Sequence, residues 1–193
     1  MEPRVTNILL SGVGGQGILL ASELICSVFI AQGLDVKKNE IHGMSQRGGS
    51  VTSHIRFGTQ VASPVIPQGE ADFLVGFEKL EGYRYLYMLK NCGYFFINDY
   101  QIVPGSMLLK KISEYPGDLK ERIQNSGKKT LWIDAQNMAE QLGNPRVVNL
   151  ILLGSLARHL GTAPELWLHA IEEKVKKRFL EVNKTAFQQG YNL

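Results

Sequence analysis

Apolar and polar positions alternate along the chain in strand-length and helix-length blocks. Residues 5–11 form a short apolar run that ends directly in glycines, the pattern of a strand buried in a parallel sheet. Residues 15–32 have helical length, with Ile18, Leu19, Ser22, Ile25, Cys26 and Phe29 near one face, and Gly33 stands where a C-terminal cap belongs. Residues 34–41 predict a second strand, residues 43–49 a polar, glycine-rich loop, and residues 51–57 a half-covered strand of period two. Pro64 and Pro67 mark an irregular connection. Residues 71–77 and 93–98 predict further buried strands around a helical stretch at 78–90, and residues 129–134 repeat the strand pattern after a poorly patterned stretch at 117–127. Beyond Ala135 the pattern is helical: 137–142, 145–160 and 164–179 or beyond, with Pro145 and Pro164 at first-turn positions that tolerate proline. Strands alternating with helices predict an α/β fold: a Rossmann-like, mostly parallel sheet covered by helices on both faces, with a helical C-terminus. No linker divides residues 1–193, so one domain is expected.

Composition narrows the class. A chain of 193 residues builds one sizeable core, and its net charge of +3 comes from scattered Lys and Arg, which argues against nucleic acid as the main partner. Two cysteines, Cys26 and Cys92, give neither a disulfide framework nor metal-ligand spacing. The N-terminus lacks a signal-peptide pattern, and no segment approaches the roughly 20 apolar residues of a membrane helix. The expectation is a cytoplasmic protein.

Two segments carry candidate chemistry. The first, Gly12-Val13-Gly14-Gly15-Gln16-Gly17, has the G-x-G-x-x-G spacing between a strand and a helix. Glycines there permit a tight turn with positive φ and let backbone N–H groups approach an anion at the positive end of the helix. A dinucleotide site would also want an acidic residue at the end of the second strand. Asp35 lies at that strand's start and Glu40 near its end, and neither fits well. An anion or cofactor cradle, and close strand–helix packing with no ligand, both remain open.

The second segment is His42-Gly43-Met44-Ser45-Gln46-Arg47-Gly48-Gly49-Ser50. If it follows the second strand, it emerges at the same rim as the glycine turn. Arg47 could then hold a phosphate or carboxylate in a bidentate grip, and His42 could position or exchange a proton. An ordinary solvated turn is the alternative.

GVGGQG opening a helix, followed by EIHGMSQRGGSVTSHIRFG at residues 40–58, closely resembles the gamma-type subunits of the pyruvate/2-oxoacid:ferredoxin oxidoreductase family, most of all the small beta subunits of the indolepyruvate branch. The resemblance is densest over residues 8–58. It implies a small subunit supporting oxidative decarboxylation of a 2-oxoacid to an acyl-coenzyme A with ferredoxin reduction. Thiamine diphosphate, magnesium and iron–sulfur clusters are expected in a large catalytic partner subunit, with coenzyme A as cosubstrate, ferredoxin met through the complex, and no cofactor held firmly here. The chain agrees by omission: it has no GDG followed by an NN pair, and no cysteine set for a cluster.

Activity is therefore not expected of the chain alone, and in isolation it could form a homodimer through the surface meant for its partner. Gly12, Gly14, Gly15, Gln16 and Gly17 are candidates for an anion cradle or subunit crevice, and His42, Ser45, Gln46, Arg47, Gly48 and Gly49 for a substrate contact or interface; no catalytic or metal-binding residue is assigned. The competing functions are a stand-alone NAD(P)- or flavin-binding oxidoreductase and a module that binds a nucleotide or acyl-coenzyme A.

Several residues have plainer expected roles. His54 and Arg56 alternate with apolar neighbours as a structural pair, with a site role left open because the resemblance extends through them, and Cys26 belongs to the apolar side of the first helix. Tyr83, Tyr85 and Tyr87 read as packing residues, with a partner interface as the alternative, Asp134 as a helix cap, and the charged run 172–178 as a solvated helix face.

Overall fold

The computed structural model describes residues 5–43, 49–102 and 115–193. In chain order the elements are β1 (Thr6–Val13), α1 (Ile18–Ala31), β2 (Asp35–His42), β3 (Ser50–Gly58), β4 (Ala71–Gly76), α2 (Lys79–Arg84), β5 (Leu89–Asn98), α3 (Leu119–Asn125), β6 (Lys129–Ile133), α4 (Ala135–Gln141), α5 (Val148–His159), α6 (Pro164–Lys174) and α7 (Leu180–Tyr191). The strands form one sheet in the order β2-β3-β1-β4-β5-β6. β1, β4, β5 and β6 run parallel, while β3 is antiparallel to both of its neighbours, so the sheet is mixed and mostly parallel.

The apolar run of β1 is buried from Asn7 to Val13, as a central strand covered on both faces requires. On one face Ile8, Leu10, Ile55, Phe57 and Phe96 pack against α1, α5, α6 and α7. Trp167, fully buried, lies between Phe29 and Phe187 at centroid distances of 6.2 and 5.9 Å, and its indole N–H donates to Thr162 Oγ1 at 2.7 Å. α5 and α7 cross backbone to backbone through Gly154 and Gly190, where a Cβ would overlap the carbonyls of Phe187 and Ile151. On the other face Leu9, Leu74, Phe95 and Ile97 meet Ile66, Leu86, Met88 and Ile123.

The structure departs from the pattern in five places. The second strand does not lie beside the first, because β2 and β3 form a hairpin whose returning strand takes that place. β3 is buried on both faces rather than half-covered, since the 59–70 connection crosses its polar side. There His54 Nδ1 accepts from the Ile66 N–H at 3.2 Å, while Arg56 donates to Asn7 Oδ1 and to the carbonyls of Ser63 and Val65. The 78–90 stretch is helical only through a 3-10 turn at Leu86–Met88, because β5 already starts at Leu89. The 117–127 stretch contains α3, whose Leu119 and Ile123 are buried. Finally, 164–179 is not one helix: Val175 is extended, at φ −96° and ψ 135°, and α7 restarts at Leu180.

Asp134 Oδ1 accepts the Asn137 N–H at 3.4 Å, the capping role expected of it. Among the described residues no helix is long and apolar enough to cross a membrane.

Candidate functional site

The glycine turn is assembled from within. Gln16 folds back so that its Oε1 accepts the Val13 N–H at 2.7 Å and its Nε2 donates to the Phe77 carbonyl at 2.9 Å. Asn98 Nδ2 donates to the same carbonyl at 3.1 Å, so Phe77 joins the ends of β1, β4 and β5. A Cβ on Gly12 would come within 2.8 Å of Phe77 Cβ, leaving room only for hydrogen. Gly17 sits at φ +78° with Asn149 packed against it, and Asn149 Nδ2 donates to its carbonyl at 3.3 Å. Gly15, at φ +102°, is exposed, and a Cβ there would meet nothing within 4 Å.

The hairpin loop returns to this turn. The Gly14 N–H donates to the Gly49 carbonyl at 2.9 Å, and the Gly43 N–H to the Ser50 carbonyl at 2.8 Å. Between them opens a cavity of about 580 Å³ lined by Val13, Gly14, Gly15, Gly17, Ile18, Leu19, His42, Gly43 and Val51. Among the described residues its walls are apolar apart from backbone groups and the His42 imidazole. The start of α1 lacks a side-chain cap among the described residues, so its amides face this rim. The arrangement suits an apolar group with an anionic or carbonyl end, held by backbone N–H groups and one imidazole.

Of the sequence candidates, Gly14, Gly15, Gly17 and His42 line this cavity, and Gly49 joins it through its carbonyl. Gly12 and Gln16 build the turn. Ser45, Gln46, Arg47 and Gly48 lie outside the described residues.

Dinucleotide geometry does not fit. With β3 interposed, the end of β2 is two strand spacings from β1, roughly 9–10 Å. Glu40 is bonded to Ser22 and Lys38, at 3.2 and 2.7 Å. Asp35 lies at the other end of β2, where the Val61 N–H and then Lys37 hold its carboxyl below the usual carboxylate range.

Pattern reading missed the carboxylates beneath the rim. Glu78 and Glu81 are 1% and 3% exposed. Glu81 accepts from Ser50 Oγ at 2.6 Å and pairs with Arg84 at 3.2 Å, tying the returning end of the hairpin loop to α2. Glu78 caps α2 through the Glu81 N–H at 2.9 Å and also accepts the Ile102 N–H at 3.1 Å and the Tyr115 hydroxyl. It thereby fastens both flanks of the 103–114 segment. Burial, followed by Glu78, pushes the Tyr115 phenol well above its ordinary pKa. Two acids three apart at the start of α2, Glu78 as cap and Glu81 in the first turn, were a legible capping signal; nothing in the sequence pointed to Tyr115.

A smaller cavity of about 130 Å³ continues from Gly15 and Gln16 to Tyr100, Ile102, Gln136 and Arg146. The donor set for a resident cluster does not fit, since iron–sulfur clusters take about four thiolates. Cys26 lies on α1 and Cys92 on β5, with Cys26 raised to about 11 by burial. Among the described residues no group of three or more His, Cys, Asp or Glu could hold a metal.

The chain belongs to the pyruvate ferredoxin/flavodoxin oxidoreductase family, whose model matches residues 7–193. It is 35% identical over 189 residues to the indolepyruvate oxidoreductase subunit IorB of Thermococcus kodakarensis, covering 95% of this chain and 93% of that one. The gamma subunit of a keto/oxoacid ferredoxin oxidoreductase from Geobacter sulfurreducens superposes with a TM-score of 0.70 at 25% identity, covering 97% of this chain and 96% of that one. The fold recurs in the 2-oxoglutarate:ferredoxin oxidoreductase of Magnetococcus marinus, with a TM-score of 0.75 at 18% identity, covering 99% of this chain and 31% of that one.

Proposed function

We propose that this chain is the small subunit of an indolepyruvate-type 2-oxoacid:ferredoxin oxidoreductase. The assembled enzyme decarboxylates a 2-oxoacid oxidatively, transfers the acyl group to coenzyme A, and passes the released electron pair to ferredoxin. Thiamine diphosphate, magnesium and the iron–sulfur clusters belong to a larger partner subunit, which supplies the carbanion and redox chemistry. This chain's contribution is the rim where the glycine turn and the hairpin loop meet, which docks on the partner and completes the wall of the substrate or coenzyme A site. His42 and the amides of the turn contact the ligand's polar end, and Val13, Leu19 and Val51 exclude water from its apolar part.

The observation that carries this reading is the full-length likeness to an indolepyruvate oxidoreductase subunit. The apolar, imidazole-bearing cavity is compatible with an aryl-substituted acid or an acyl thioester.

Coexpression with the large thiamine-binding subunit from the same organism, followed by viologen-linked assays across several 2-oxoacids, tests it. A stable heteromer with coenzyme A-dependent turnover, best on indolepyruvate, is expected. A chain that forms only homo-oligomers, or that purifies with its own flavin or dinucleotide, overturns it.

A further inference from the structure

A second surface is built differently from the glycine rim. A cleft of about 640 Å³ lies where the loop 143–147 meets the end of α6, the 3-10 turn Lys177–Phe179 and the start of α7. Its floor is apolar, formed by Leu20, Leu142, Val147, Val175 and Val182. Its edges carry Arg146, Lys174 and Lys176, with no carboxylate in the lining.

Among the described residues, the charges here lack partners in a way that the others do not show. Among the described residues, Lys37, Lys38, Lys79, Arg84, Lys90, Arg122 and Lys184 each pair with a carboxylate. Arg56, Lys128 and Arg158 donate to carbonyls. Lys120, Lys129 and Arg178 lie over aromatic rings, Arg178 at 4.6 Å from the centroid of Phe179. Arg146, Lys174, Lys176 and Lys177 have none of these partners, and all four surround this cleft or adjoin it. Phe179 is 38% exposed at its edge.

Concentrated like charges repel, and that cost is relieved when an opposite charge docks. An apolar floor inside a cationic border matches a ligand with acidic groups flanking an apolar side chain, the usual anatomy of a protein–protein anchor. The cleft is also continuous with the proposed interface, because Arg146 lines both it and the small cavity beside Gly15 and Gln16.

We infer that this cleft docks an acidic segment of the large partner subunit, with an apolar or aromatic side chain of that segment on the floor between Arg146, Lys174, Lys176 and Phe179. The inference rests on the small-subunit reading above. Electrostatic steering speeds assembly, and the seated apolar anchor slows dissociation.

The test uses the coexpressed complex. Lys174→Glu with Lys176→Glu changes two exposed side chains, so folding should be unaffected, and circular dichroism and thermal melting check this; Lys174→Gln with Lys176→Gln is the milder companion. The association constant is read by light scattering or biolayer interferometry at low and high salt. The charge reversal should weaken association by roughly 10- to 100-fold and the neutral pair by less, and both should flatten its salt dependence. Zero-length carbodiimide coupling should link Lys174 or Lys176 to Asp or Glu of the partner.

If wild-type chain and large subunit never associate, the small-subunit reading falls and takes this inference with it. If they associate and both double variants associate equally well, with no carbodiimide link, the inference alone fails. Micromolar binding of inorganic tripolyphosphate to the free subunit, lost in the double variants while partner affinity is unchanged, overturns it in favour of a small-anion site.

Discussion

The glycine rim and the basic cleft use their polar groups in opposite ways. Among the described residues of the rim they are largely consumed by construction: Gln16 closes its own turn, Gly14 is bonded to Gly49, and Glu78 and Glu81 fasten the surrounding loops. At the cleft, the cations of Arg146, Lys174 and Lys176 have no partner among the described residues. The polar make-up of the glycine turn is therefore not a measure of how many of its groups face a ligand. The described part of the rim offers an apolar cavity, backbone amides and His42. The cleft offers charge over an apolar floor, and its specificity lies in electrostatic match.

If this contrast holds, rim substitutions should cost stability and cleft substitutions should cost assembly. The largest effect is expected for Glu78→Ala, which leaves the Glu81 and Ile102 amides and the Tyr115 hydroxyl without their acceptor. A loss of about 3 kcal/mol in urea unfolding is expected, and a loss below about 1 kcal/mol would mean that the clasp is not structural.

Next comes Gly17→Ala, which meets both a positive φ and Asn149, at about 2 kcal/mol. Gly15→Ala carries only the backbone strain, about 1 kcal/mol, because its Cβ has open space. Equal costs at the two positions would break the packing argument for Gly17.

His54 provides a pH test. Burial lowers its folded pKa below the ordinary 6.5. The unfolded chain therefore takes up its proton first as pH falls, so the contribution of His54 is present above about 6.5 and is lost as pH falls through the folded pKa. His54→Asn should reduce the slope of stability against pH in that window, as read by melting temperature from pH 7 downward; an unchanged slope would refute the assignment.

The smallest stability effect belongs to the cleft. Lys174→Gln with Lys176→Gln should shift the unfolding free energy by no more than about 0.5 kcal/mol. A larger loss would show that these lysines, too, serve the fold.

Much of the fold could be read from periodicity, because buried strands and long amphipathic helices leave strong marks. The β1–turn–α1 unit is a case in point, and the described ends of the second loop, His42–Gly43 and Gly49, do meet the turn. Strand order was not available from the same source. The stretch 34–41 reads equally well beside β1 or one strand away, and the short 43–49 loop allows a hairpin as readily as it allows a site loop. The alternation of His54 and Arg56 gave the two faces of β3 correctly but not the 59–70 connection that covers the polar one. Similarly, 172–178 looked like a continuous solvated helix face, and only the break at Val175 turns its lysines toward the 143–147 loop.

The sequence by itself determined the α/β class, the glycine turn between strand and helix, and the family, since these rest on local spacing and on motifs contiguous along the chain. The tertiary structure decided which groups remain free to act. The antiparallel β3 moved the acidic end of β2 away from the turn, and Phe77, Asn98 and Asn149 locked the turn from distant parts of the chain. Packing of the 143–147 loop against the end of α6 brought Arg146 to the same cleft as Lys174 and Lys176. The physical reason is that hydrogen bonding and charge pairing are satisfied by proximity in space, and proximity between residues a hundred positions apart is a property of the folded chain alone.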